Sequence, residues 1–152
     1  MMKIFRIVLL ACIIATLSCS AAFAGSGKAI VPHWLAVNYG KSNAQSSNIF
    51  ITNITQHDLV VKVTVYNRDS TIFLSGIEYK NFQNNNTEIG AGKTVNLKIN
   101  GTGTTESDYG YAVIEWVNKE YDDDVVGLVS WANWRESSNR GYSVPVNNGM
   151  PF

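Results

Sequence analysis

The sequence predicts an all-β protein, an antiparallel sandwich of about eight strands, with a small β-barrel as the alternative closure. Three observations carry this. Apolar residues recur with period two over short runs, which places them on one face of a pleated strand. Clusters rich in Asn, Gly and Asp, the residues of tight turns, separate the runs at fairly regular spacing. After residue 24, no window of eleven or more residues carries the 3.6-residue period of an amphipathic helix.

The opening segment stands apart. Lys3 and Arg6 give a positive start, Ile7 to Leu17 an apolar run, and Ala22, Phe23 and Ala24 a small-x-small end before Gly25. That order is a secretory signal peptide, and the run falls short of the ~20 residues that span a bilayer. Cleavage is expected after Ala24, leaving residues 25–152 as one β domain in the periplasm or outside the cell. Lipid anchoring at Cys19, in "TLSC", is the alternative, although lipoprotein boxes want an aliphatic residue where Thr16 stands.

Within residues 25–152 the strands follow in order. "AIVPHWLAV" is the first, and Pro32, with no amide to give a ladder, marks an edge or bulge position. Ile49 and Ile51 alternate in "SSNIFITNIT", and Val61, Val63 and Val65 in "LVVKVTVYN". "TIFLSGIEY" is a further run. Val95, Leu97 and Ile99 alternate most cleanly with Asn96, Lys98 and Asn100, so Leu97 is expected inward. "YGYAVIEWV", "VVGLVSWANW" and "GYSVPV" supply the last three strands, with Trp116, Ala112 and Ile114 on the core face of the first of them. Turn chemistry fills the gaps: "NITQHD", "YNRDS", "NFQNNN", "NGTGTTESD" and "KEYDDD". No internal repeat and no linker divides the chain.

Composition removes several classes of function. Both cysteines, Cys12 and Cys19, lie in the signal, so the mature chain would have no disulfide, thiolate metal site or cysteine nucleophile. Lys3 and Arg6 are two of the 12 basic residues, so cleavage leaves fewer basic than the 12 acidic ones. No basic field remains to draw nucleic acid or an anionic membrane, and the mature chain carries no apolar run long enough for a transmembrane helix.

The segments "VPHW", "SSNIFITNITQHDLVVKVTVYNRDS", "IGAGKTVNLKI" and "YGYAVIEW" cover most of residues 30–117. Together they resemble bacterial exported immunoglobulin-like sandwich domains. Those domains open on a Pro-aromatic strand, follow with T-x-I-x-I-x-N and V-x-V-x-V-Y strands, and later carry an I-x-x-G-x-T-V-x-L strand. Ser70 stands where a glycine usually follows the "YNRD" turn. The resemblance implies the immunoglobulin-like sandwich and implies no activity, since a fold does not fix a function.

"GAGKT", Gly90 to Thr94, looks like the end of a phosphate-cradling loop. Such a loop needs G-x-x-x-x-G-K-[ST] opening a helix, so that backbone N–H groups face the phosphate. Thr87 stands at the first glycine, and "VNLKIN" after the motif has a strand period. A Gly-rich turn is the reading, with Gly90 and Gly92 supplying positive φ. "EYDDDVVGLVSWAN" invites a calcium loop, yet Val126 stands where an oxygen ligand is needed and Asn133 where a bidentate Glu is. An acidic hairpin tip is the reading, with a weak surface Ca²⁺ site of Glu120, Asp122 and Asp124 as the alternative; no other metal and no cofactor is expected.

Catalysis has little to work with. His33 lies in an apolar strand and His57 in a turn expected to be solvated, and neither a nucleophile elbow nor a zinc-protease motif occurs. No spacing marks a carboxylate pair for glycoside chemistry, so a small hydrolase is the least favoured reading. Glycosylation sequons at Asn53, Asn85 and Asn100 are no more than the Asn, Ser and Thr content gives by chance.

Aromatic residues stand above background. Trp34, Trp116, Trp131 and Trp134 join Tyr39, Tyr109, Tyr111, Tyr121 and Tyr142 in a small domain. Some must fill the core, while exposed rings anchor partners or stack on sugar faces. Trp131 and Trp134 are an odd offset apart, so an unbroken strand sends them to opposite sides. Trp134 is expected to be the open ring, because "RESSNRG" after it reads as a solvent loop. With Asn133, Arg135 and Tyr142 it forms the candidate ligand site. The sequence therefore points to a non-enzymatic exported module at the surface, in the matrix or in the periplasm, holding a protein partner. A carbohydrate-binding module using exposed Trp and Tyr is the alternative.

Overall fold

The alternating runs become antiparallel strands in the computed structural model, which describes residues 25–37, 44–101, 107–119, 122–136 and 140–152. These are β1 (Ser26–Val37), β2 (Gln45–Asn53), β3 (Leu59–Asn67), β4 (Ile77–Lys80), β5 (Glu88–Ile89), β6 (Thr94–Asn100), β7 (Ser107–Asn118), β8 (Leu128–Glu136) and β9 (Gly141–Pro145). Residues 1–24, with the expected signal, lie outside the described residues, as do Tyr39, Glu120 and Tyr121. Among the described residues no helix is long and apolar enough to cross a membrane.

Two groups of strands face each other. β1, β7, β3 and β5 are neighbours in that order, and β4, β6, β2, β8 and β9 in theirs. The groups join at one register pair, Val37 with Gln45, so the sheet turns a single corner and is otherwise layered. The fold is therefore all-β and sandwich-like, and the continuous corner is the feature it shares with a small barrel. Ser47 secures the corner where backbone pairing stops. Its hydroxyl accepts from Leu35 N and donates to Leu35 O, both at 2.9 Å.

The core lies between the two layers. Val31, Trp34, Val61, Ile114 and Trp116 from one meet Ile49, Ile51, Leu97, Ile99 and Leu128 from the other. Trp116 is on the expected face with Ala112 and Ile114, all buried. Its ring fits because Gly27 and Gly127 flank it; a Cβ on either would come within 2.2 Å and 2.7 Å of the indole. The indole N–H donates to Phe152 O at 2.7 Å, and Phe152 also pairs through its backbone with Leu128.

Pro32 does mark a bulge: the β1–β7 register shifts between Val31 and Trp34. Other expectations need correction. Of "TIFLSGIEY" only Ile77, Glu78 and Tyr79 are in a strand, the start of β4, with Ile72 making an isolated bridge to Tyr66 and Leu74 exposed. β8 begins at Leu128, and Val125 and Val126 are an exposed lead-in. β5 is an additional two-residue strand, which brings the described residues to nine strands.

The "GAGKT" segment is a turn feeding β6. Gly92 has φ +64°, whereas Gly90 is not left-handed; there a Cβ would press on Gln83 and Lys93 at 3.2 Å and 3.3 Å. Ala91 N donates to Asp58 Oδ1 at 3.0 Å, so a carboxylate already takes an amide that a phosphate would need. In "NFQNNN", Asn81, Asn84, Asn85 and Asn86 all have positive φ, the conformation Asn tolerates best among residues with a side chain.

Candidate functional site

The site lies on the outer face of the layer built from β4, β6, β2, β8 and β9. Ile49, Ile51, Leu97 and Ala132 point into the core, so the residues between and beside them point out. Strand register then lines these up in rows. One row runs Lys80, Asn96, Phe50, Trp131, Pro145 across all five strands. The next runs Glu78, Lys98, Asn48, Asn133, Ser143. A third sets Asn100, Ser46, Arg135 and Gly141 side by side.

The first row sets flat apolar surface beside an amide and an ammonium group, and the other two bring amides, hydroxyls and charge. Trp131 is 55% exposed and is held on edge against the half-buried Phe50, with ring centroids 5.5 Å apart and planes at 60°. That arrangement suits the ring quadrupoles and fixes the orientation of the indole. Beside it Asn48 Nδ2 donates to Asn133 Oδ1 at 3.2 Å, which orients both amides. Asn96 Nδ2, next to Phe50, is buried with no hydrogen-bond partner among the described residues.

Toward the Asn100 end the face sinks into a hollow of about 570 Å³. Lys80, Lys98, Arg135 and Glu136 bring charge to it, with Asn48 and Asn100 among the amides. Glu136 accepts from Gln45 Nε2 at 3.4 Å, and Glu78 in the neighbouring row accepts from Asn100 Nδ2 at 2.7 Å. Among the described residues neither Lys80 nor Lys98 has an ion-pair partner.

The residues expected from sequence are brought together, though not as one platform. Trp134, Asn133, Arg135 and Tyr142 all line a second hollow of about 470 Å³ at the β8–β9 ribbon. Asn133 and Arg135 belong to the outer rows, whereas Trp134 and its register partner Tyr142 take the opposite side of the ribbon. Their rings stack at 5.6 Å and 27°, leaving Trp134 half-buried and its Nε1 without a partner among the described residues. The open tryptophan is therefore Trp131, not Trp134. Leu128, Ser130 and Ala132 are buried and fix which side of β8 faces in, and Tyr142 then covers the inward Trp134.

The acidic tip meets His57. His57 Nδ1 lies 2.9 Å from Asp124 Oδ2, and its Nε2 lies 3.8 Å from Asp122 Oδ1. His57 is thus held rather than freely solvated, and the Asp124 hydrogen bond raises its pKa above the ordinary imidazole value. Among the described residues no group of three His, Cys, Asp or Glu could hold a metal, and Glu120 lies outside them.

Sequence reasoning missed Trp131, Phe50, Asn48, Asn96, Lys80 and Lys98. The signal was present for the β2 and β6 residues, because inward Ile49, Ile51, Val95 and Leu97 force their neighbours outward. Their assembly into one face needed the strand order. Compared with known proteins, the chain matches no family model, no curated protein and no solved structure.

Proposed function

We propose that the protein is an exported, non-catalytic binding module that holds a polysaccharide on the outer face of the β4–β6–β2–β8–β9 layer. The observation that carries this is the exposed Trp131 ring, braced by Phe50 and bordered by the Asn48–Asn133 amide pair. A pyranose ring presents a face of C–H groups, which dispersion holds against a flat aromatic ring. Its rim of hydroxyls needs both donors and acceptors, and an amide side chain supplies one of each. Surface rings bordered by amides meet both needs at once. An open face also lets a long chain pass without ends, as a polymer requires, and binding to so shallow a site is correspondingly weak.

A protein partner added at a strand edge is the less supported reading. The long β1 edge carries the Pro32 bulge, a device that blunts strand addition.

Pull-down on insoluble polysaccharides, beside a glycan array, tests the proposal with the parent and with Trp131→Ala and Trp134→Ala. The parent is expected to bind. Trp131→Ala is expected to lose about tenfold, as an aromatic contact of about 1.4 kcal/mol implies, and Trp134→Ala to lose less. A parent that retains no polysaccharide, or a Trp131→Ala variant that binds as well as the parent, sinks the reading.

A further inference from the structure

We infer that the polysaccharide held on this face is acidic, a chain of uronic-acid residues whose carboxylates sit in the Lys80–Lys98 hollow while a ring stacks on Trp131. The inference rests on the polysaccharide reading and adds the charge of the ligand. Lys80 and Asn96 share the row of Phe50 and Trp131, and Lys98 and Asn48 share the next. The hollow and the ring platform are therefore parts of one continuous surface. Lys98 is two strands and one row from Trp131, about 12 Å between Cα atoms by sheet spacing, the reach of a short oligosaccharide rather than of one sugar.

Charge separates this hollow from the rest of the chain. Residues 25–152 carry fewer basic than acidic residues, yet the hollow is lined by Lys80, Lys98 and Arg135 against one carboxylate, Glu136. Glu136 and Glu78 each accept a hydrogen bond from a neighbouring amide. Lys80 and Lys98 have no ion-pair partner among the described residues, so an incoming anion displaces none. The two glutamates keep the local field modest, which suits one charge per sugar better than a densely sulfated chain. Asn48 and Asn100 add amides for the hydroxyls beside each carboxylate.

Calorimetric titration of the protein with polygalacturonate and alginate, each beside its methyl-esterified form, tests this. A neutral soluble glucan and dextran sulfate serve as the other arms. The free acids are expected to bind at least about tenfold tighter than their esters, with the difference shrinking at high salt. Lys80→Gln with Lys98→Gln is expected to bring the acids down to the level of the esters, while Lys98→Arg retains the preference. Trp131→Ala is expected to weaken acid and ester alike. Circular dichroism of each variant checks that the fold is intact. Acids and esters bound equally, dextran sulfate bound tighter than both polyuronates, or a glucan bound while all uronates fail, overturns the acidic ligand and leaves the polysaccharide reading standing. No binding in any arm overturns both.

Discussion

Asn53, in the last position of β2, is fully buried and ties three segments together. Its Nδ2 donates to His57 O at 2.7 Å, Ile89 O at 3.0 Å and Gly90 O at 3.2 Å, and its Oδ1 accepts from Thr55 N and Oγ1. Asn53→Ala would remove the side-chain donor from the buried Ile89 and Gly90 carbonyls and the acceptor from Thr55, and a loss of about 2–4 kcal/mol is expected in urea unfolding. Asn53→Asp keeps the shape but removes the donor, so it should cost at least as much; near-parental stability in it would refute the tie. Ser70 argues the opposite case. It sits at φ +66°, in the turn that follows Asp69. Ser70→Gly removes a left-handed cost of about 1 kcal/mol and adds some freedom to the unfolded chain. A net gain of about 0.5 kcal/mol is expected, and an unfolding midpoint that falls instead would show the serine side chain to be structural.

At the scale of elements, the turn between β2 and β3 is clasped to the segment that leads into β8. Ile54 N donates to Gly127 O at 3.0 Å, and His57 reaches Asp124 and Asp122. The Asp124 hydrogen bond, helped by the charges of Asp122 and Asp123, raises the His57 pKa in the folded state. A raised folded pKa means that protonated His57 stabilises the fold below the unfolded value of about 6.5, and that this contribution is lost as pH rises through the folded value. Thermal unfolding between about pH 6 and about pH 8 should therefore show the parent losing midpoint relative to His57→Gln. Parallel curves for the two proteins would rule the clasp out. The two turns were each legible in the sequence as polar connections. Their contact was not, because His57 and Asp124 are 67 residues apart, with β3 through β7 between them.

Across the whole molecule, stability rests on one core shared by both layers. Leu97 is fully buried at its centre, opposite Ile49 in the β2–β6 register. Leu97→Ala is expected to cost about 2–5 kcal/mol, the range for cavities in well-packed cores. A cost below about 0.5 kcal/mol, the size of a surface substitution, would mean that this side of β6 does not face the core.

The sequence by itself determined the class of the fold and the two-sided character of most strands. Alternation is a local property, and the inward placement of Leu97, Ile49 and Trp116 needed only the period of two and the drive to bury apolar surface. Pro32 announced its bulge for an equally local reason, the missing amide. Tertiary structure alone decided which strands lie side by side. Burial asks for an apolar face and is indifferent to the neighbour that covers it. Pairing between β2 and β8, about eighty residues apart, is what sets Phe50 against Trp131 and Asn48 against Asn133. The β8–β9 pairing is what covers Trp134 with Tyr142 and leaves Trp131 as the open ring. The candidate site is a property of those registers, and a period of two carries no information about them.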